Sequence, residues 1–266
     1  MRTLVTLMIK RISLNDLGPS ERFELLWQYV DKRIPIFLIG PAGSGKSYIG
    51  LKLMKRFVEN FLDNDKIFWL RDIDETAINS LNGVKALYVS GSANVTKLDL
   101  LGGRILLGGE YVRKPGLLNC MVRDGGVIFL DEVTSLPPQF TILLNEIIDV
   151  LIRGDAHENF YIFFAGNPST YLGANELPDS LLERIVSIWF DYYPFNYEFD
   201  IVYNMVRQKF ANDPIVYEEG FKLLIQFIIG VLRNIREELN NAGEICPISV
   251  RTVSYTHLTL PTTERV

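Results

Sequence analysis

One turn constrains this chain more than any other stretch. Gly40-Pro41-Ala42-Gly43-Ser44-Gly45-Lys46-Ser47 follows the apolar run Ile34–Ile39 and precedes a helical pattern. The spacing G-x-x-x-x-G-K-[ST] between a strand and a helix is that of a phosphate-binding P-loop. Its glycines let the backbone wind so that successive N–H groups point inward. With the N-terminus of the next helix, those donors meet phosphate oxygens. Lys46 would reach the β- and γ-phosphates, and Ser47 would place its hydroxyl on Mg²⁺. The competing reading is a glycine-rich turn with no ligand; the strand before it and the helix after it weigh against that.

From Ser47, the apolar residues Ile49, Leu53, Phe57 and Phe61 recur every four positions, a helix that closes over the turn. Ahead of the turn, Ser20 would cap a helix carrying Phe23, Leu26, Trp27 and Val30. Lys66–Leu70 reads as a short strand, Ile73–Leu81 as a short helix and Lys85–Gly91 as a strand ending in a turn. A helix would begin over Thr96–Leu101. Ile105–Leu107 and Glu110–Arg113, around Gly108-Gly109, resemble a small hairpin. A helix resumes through Leu117, Leu118 and Met121.

Val127–Leu130 is continuously apolar, as suits a strand buried on both faces of a parallel sheet. After Pro137-Pro138, residues Phe140 to Leu151 form an amphipathic helix, with Gly154 just past its end. Phe160–Ala165 is a second buried strand, Leu177–Glu183 a short helix and Ile185–Phe190 a further strand. Helices follow over Tyr197–Phe210 and Tyr217–Leu239. Strands alternating with helices predict an α/β fold with a parallel sheet, followed by a smaller helical part.

Asp131 and Glu132 close a buried strand, at the end where open α/β sheets bind ligands. Asp131 would hold Mg²⁺ directly or through water. Glu132 would orient and activate an attacking water as general base. The bland reading is a pair of solvated acids opening the next helix, where carboxylates suit the dipole. Asn167 also follows a buried strand, and its amide would hold the attacking water or the γ-phosphate; alternatively it is a turn residue before Pro168. Arg184 carries the planar cation that suits a transferring phosphoryl group, or else forms a surface ion pair with Glu183 or Asp179. Arg251 opens a possible last helix, where a solvated helix-start residue is the alternative.

Composition narrows the classes. With 48% hydrophobic and 22% charged residues, the chain matches an ordinary globular protein with a sizeable core. A net charge of −5 weighs against a surface built for nucleic acid. Cys120 and Cys246 match no metal spacing, and a cytoplasmic chain with reduced thiols is expected. The apolar run near the N-terminus is too short for a membrane span and ends in Lys10-Arg11; it reads as an edge strand or leader, and no membrane span is expected.

Taken together, these stretches resemble the AAA+ ATPases, in the dynein-related, MoxR-like branch, from roughly Ile34 to Arg251. Gly40–Ser47 matches the Walker A motif, Val127–Glu132 the Walker B motif and Asn167 the first sensor. Asn175–Arg184 looks like the stretch ending in an arginine finger, and Ser249-Val250-Arg251 like the second sensor. Thr96–Arg104 resembles the approach to the helix-two insert, a hairpin facing a ring pore. The resemblance implies a P-loop NTPase three-layer core over 34–194 and a small all-helical lid over 195–253, after a leader and helix over 1–33. It implies ATP and Mg²⁺ as ligands, with the choice of ATP resting on the family alone.

It also implies a homo-oligomeric ring, commonly a hexamer, in which Arg184 acts on the neighbour's nucleotide. Such rings remodel or assemble a client protein complex, often with a von Willebrand factor A protein. The alternatives are a nucleic-acid-associated AAA+ motor or loader, a P-loop small-molecule kinase, and a nucleotide switch without turnover. Two departures stand out. Residues 63–84 are longer than the usual link between the first core strands. The threonine-rich segment 254–266 conflicts with the helix expected after the second sensor. It also resembles sequencing-adapter read-through, which would end the native sequence near Val253; a natural extended tail is the alternative.

Overall fold

A computed structural model describes residues 12–14, 16–62, 67–70, 86–91, 102–136, 138–169 and 174–241. The run 1–11, the helices expected at Ile73–Leu81 and Thr96–Leu101, Cys246, Arg251 and the segment 254–266 lie outside the described residues. In chain order the elements are β1 (Ile12–Ser13), α1 (Pro19–Asp31), β2 (Ile36–Ile39), α2 (Lys46–Phe61), β3 (Ile67–Leu70) and β4 (Ala86–Ser90). Next come the hairpin β5 (Gly102–Leu107) and β6 (Glu110–Pro115), α3 (Leu117–Asp124), β7 (Gly126–Asp131), α4 (Pro138–Arg153) and β8 (Phe160–Gly166). The last are α5 (Asp179–Leu182), β9 (Val186–Trp189), α6 (Phe195–Lys209) and α7 (Glu219–Asn241). Short 3-10 turns occupy Val133–Ser135 and Pro214–Tyr217.

The chain forms two units. The first contains β1, Phe23–Gly40 and Lys46–Trp189. Its seven-stranded sheet runs β1-β9-β2-β8-β7-β4-β3, with parallel pairing throughout. The hairpin β5–β6 pairs antiparallel apart from that sheet. Successive strand residues point to opposite faces, and β7 and β8 divide accordingly. Ile128 and Leu130, with Ile162 and Phe164, join Leu118, Met121, Leu143, Leu144, Ile147 and Ile148 in one core. On the other face, Phe129 stacks on Phe163 with ring centroids 4.6 Å apart; Phe163 meets Tyr161, and Tyr161 meets Phe57 of α2. Both faces are covered, which is why these strands read as unbroken apolar runs.

The helix ends show where local chemistry overrode the expected boundaries. Pro19, not Ser20, opens α1, because proline's fixed φ and missing N–H suit the first helical position. The Glu21 carboxylate accepts the Gly18 N–H at 2.8 Å, capping that end in place of a serine. Pro178 stands in extended geometry before α5, and a residue preceding proline is kept out of the helical region. Leu177 therefore stays outside, and the expected Leu177–Glu183 helix contracts to Asp179–Leu182. The last helix starts at Glu219 and not at Tyr217. The Asp213 side chain accepts the Ile215 N–H at 3.1 Å and draws Pro214–Tyr217 into a separate turn.

Of the described residues, the second unit contains Leu14–Arg22, Pro41–Gly45 and those from Phe190 to Asn241. Helices α6 and α7 pack through Phe199, Val202, Ile225 and Ile229. Beside that core, Glu198 and Arg236 pair at 2.7 Å, both buried, and Arg233 adds a second contact to Glu198 at 3.3 Å. Arg22 is fully buried. It donates to the carbonyls of Leu17 at 3.0 Å, Asp191 at 2.6 Å and Tyr192 at 3.2 Å. Its guanidinium lies 4.1 Å from the Tyr193 ring centroid. Burial pulls its pKa below the usual guanidinium value, opposed by Tyr193 and Asp191. A cation so placed is tolerable because each of its three nitrogens has a carbonyl acceptor. Among the described residues, no helix is long and apolar enough to cross a membrane.

Candidate functional site

The strand order of the first unit decides which loops meet. β8 lies between β2 and β7, and the three run parallel. Ile39 pairs with Gly166, and Leu130 with Phe164. Gly40, Asn167 and Asp131 therefore emerge at the same edge of the sheet, although they are far apart in sequence.

Lys46, the first residue of α2, is buried. Its ammonium donates to the Gly40 carbonyl at 2.8 Å and to the Asn167 amide oxygen at 3.3 Å. Asn167 is held in turn: its N–H donates to the Thr134 hydroxyl at 3.3 Å. Thr134 is buried, and its carbonyl accepts the Asn175 N–H at 2.6 Å.

Asp131 is also buried. One carboxylate oxygen accepts the Glu132 N–H at 3.0 Å and the other accepts the Tyr88 hydroxyl at 2.9 Å. Glu132 is half-buried and takes left-handed backbone geometry, φ 53 and ψ 36. Such a conformation is uncommon for a residue with a Cβ and clusters at functional positions. It turns the chain out of β7 directly after Asp131.

Gly50 sets how closely α2 lies on β7. A Cβ there would fall 2.4 Å from Cζ of Phe129, so only glycine permits this approach. Lys46, Ser47 and Gly50 are spaced i, i+1 and i+4, which puts Ser47 and Gly50 three apart on one helix face. Phe129 and Asp131, two apart on β7, share one strand face.

In the second unit, the turn Pro41–Gly45 has Gly43 at φ 75 and Gly45 at φ 99. The Tyr192 hydroxyl donates to the Ala42 carbonyl at 2.9 Å, and the Tyr192 ring lies 4.1 Å under the Arg236 guanidinium. The Ser44 hydroxyl is buried and has no hydrogen-bond partner among the described residues.

Arg184 stands elsewhere. Its Nε lies 3.3 Å from the Asp149 carboxylate, and Nη1 donates to the Asn145 amide oxygen at 3.2 Å, both on α4. The ion-pair alternative named Glu183 or Asp179; the partner is Asp149, because α4 passes beside the turn after α5. Tyr88 and Thr134 escaped the sequence reading. A tyrosine inside a strand and a threonine in a short turn carry no spacing signal of their own.

These residues fit a nucleotide and its metal on chemical grounds. In the first unit Lys46 offers a buried ammonium. In the second, taken by itself, Ser44 offers a buried hydroxyl and Gly43 to Gly45 a left-handed turn, each a kind of donor suited to phosphate oxygens. The described residues contain no cluster of three or more His, Cys, Asp or Glu that could hold a metal. A carboxylate such as Asp131, with substrate phosphates completing the shell, is the arrangement Mg²⁺ usually takes.

Over residues 71–185 the chain matches the AAA domain of the dynein-related subfamily. It is 23% identical over 226 residues to the gas vesicle ATPase GvpN1 of Halobacterium salinarum, covering 80% of this chain and 59% of that protein. It is 29% identical over 182 residues to protein CbbQ of Hydrogenophilus thermoluteolus, covering 65% of this chain and 57% of that one. With protein NorQ of Paracoccus denitrificans it shares 26% identity over 168 residues, covering 60% and 53% respectively. The chain thus spans less than two thirds of the length of each of these relatives.

Proposed function

As a member of the dynein-related, MoxR-like branch of the AAA+ ATPases, this chain, we propose, binds ATP with Mg²⁺, hydrolyses it, and uses the cycle to remodel or assemble a partner protein complex. The observation that carries the reading is the contact of Lys46 with Asn167 at the edge where β2, β8 and β7 end together. A phosphate-binding lysine, a polar sensor and an acidic pair at one sheet edge are what phosphoryl transfer to water requires. That GvpN1 is named an ATPase supports the hydrolysis half of the reading.

The backbone N–H groups of Gly40–Ser47 and the Lys46 ammonium would hold the phosphates. Ser47 and Asp131 would hold Mg²⁺, which when bound neutralises charge on the β- and γ-phosphate oxygens. Glu132 would take a proton from the attacking water, and Asn167 would hold that water or the γ-phosphate in line. Arg184 would serve the nucleotide of a neighbouring subunit in a homo-oligomeric, hexameric ring, and Arg251 would act as the second sensor. The client is another protein complex, with a von Willebrand factor A protein among its expected members.

The test is ATP turnover and ATP binding by wild type and Glu132→Gln. Wild type should release phosphate, while Glu132→Gln should bind ATP as tightly and turn over at least about 10²-fold more slowly, the scale of a lost general base. Equal turnover by both would remove Glu132 from the mechanism, and no turnover by wild type would remove the ATPase reading. Capture with ATP-loaded Glu132→Gln, followed by identification of what it holds, tests the client half.

A further inference from the structure

We propose that Tyr88 is a positioning residue for Asp131: its hydroxyl fixes the carboxylate from the neighbouring strand, in the orientation that receives the magnesium of the bound nucleotide. This rests on the reading of Asp131 as a metal-holding residue.

The two hydrogen bonds to Asp131 differ in kind. The Glu132 N–H comes from the next residue, so that bond is local to the turn and engages one carboxylate oxygen only. The Tyr88 hydroxyl comes from β4, 43 residues earlier, and grips the other oxygen at 2.9 Å. Tyr88 pairs with Phe129 across the β4–β7 ladder, so Asp131 lies on the same face two residues further along. With strands about 4.8 Å apart and a rise of about 3.3 Å per residue, that diagonal spans about 8 Å, within reach of a phenol and too far for a serine or threonine.

The ring that carries the hydroxyl is itself held. It meets Phe129 edge-on, with centroids 5.5 Å apart and planes at 64°, and Phe129 stacks on Phe163 at 6°. Phenylalanine would satisfy that packing equally well. The hydroxyl is therefore the part the packing leaves unexplained, and Asp131 receives it. A carboxylate offers roughly four acceptor sites, so two protein donors leave room for a metal ion. Orienting a ligand by an outer partner sets its geometry before the ion arrives and raises affinity without a new bond to the metal.

The experiment uses the full chain as wild type, Tyr88→Phe, Asp131→Asn and the double variant. MgCl₂ is titrated into protein with a fluorescent ATP analogue carrying a methylanthraniloyl group, and anisotropy is read; parallel samples contain EDTA. Tyr88→Phe should raise the half-saturating Mg²⁺ concentration about tenfold, the lower end of the cost of losing an outer partner. Its thermal unfolding midpoint and its binding in EDTA should match wild type. In the Asp131→Asn background the Tyr88→Phe change should add nothing, because it acts through that carboxylate.

A Mg²⁺ requirement within twofold of wild type would overturn the proposal. So would an equal loss of binding in EDTA, or a Tyr88→Phe effect that persists in the Asp131→Asn background. Asp131→Asn separates the levels: if it raises the Mg²⁺ requirement and Tyr88→Phe does not, only the positioning role falls. If Asp131→Asn has no effect either, the metal-holding reading of Asp131 falls with it.

Discussion

The Lys46 ammonium lies 3.3 Å from the side-chain oxygen of Asn167, 121 residues later in the chain. The amide nitrogen of Asn167 is thereby turned away from Lys46, free to donate to a phosphate or a water. Asn167→Ala should leave ATP affinity within about threefold and lower turnover on the order of 10²-fold, the scale of losing one positioned donor. Nucleotide titration and single-turnover phosphate release measure the two quantities. Wild-type turnover in this variant would strike Asn167 from the site.

Gly50 and Phe129 make a second test, of stability. Phe129 has little room to give way to an added methyl, because Phe163 stacks on its ring at 4.6 Å and Tyr88 meets it edge-on at 5.5 Å. Gly50→Ala is expected to destabilise the protein by about 1–3 kcal/mol through overpacking, read from urea unfolding. Phe129→Leu in the same chain should return part of that loss; an unchanged unfolding midpoint in Gly50→Ala would show that the helix can lift without penalty.

In the second unit, Glu198 and Arg236 form a buried pair at 2.7 Å. Removing one partner leaves a buried charge uncompensated, at a cost of about 3–5 kcal/mol. Arg236→Met should therefore destabilise strongly, and Glu198→Leu with Arg236→Met should cost much less than the single change. Denaturant unfolding of the single and double variants reads this directly. A single-variant loss under about 1 kcal/mol would mean that water or Arg233 already compensates Glu198.

Arg184 is tied to Asp149 by a half-exposed pair, the kind worth about 0.2–1 kcal/mol. So weak a tie would release the guanidinium readily to a neighbouring subunit. Subunits of Arg184→Ala mixed with subunits of Glu132→Gln should regain part of the lost ATPase activity, since some junctions then combine an intact Arg184 with an intact Glu132. No recovery in mixed rings shown to form would place the action of Arg184 within its own subunit, or nowhere.

What could be read from the residues alone was whatever depends on neighbours in sequence. The Gly40–Ser47 spacing, the apolar runs of β7 and β8, the four-residue period of α2 and the acidic close of β7 are local patterns, and each marked its element. Where local signals competed, as Pro19 did with Ser20 and Pro178 with Leu177, the rigid ring of proline settled the boundary.

Tertiary structure decided the rest. That β8 lies between β2 and β7, bringing Asn167 to Lys46, depends on strand order, which no local propensity encodes. Tyr88 gains its bond to Asp131 only because β4 pairs with β7 in one register; slipping it by one residue would turn the phenol to the other face. Gly50 matters only because Phe129 lies beneath it. Such contacts join residues distant in the chain, and their energies exist only once packing has chosen the partners.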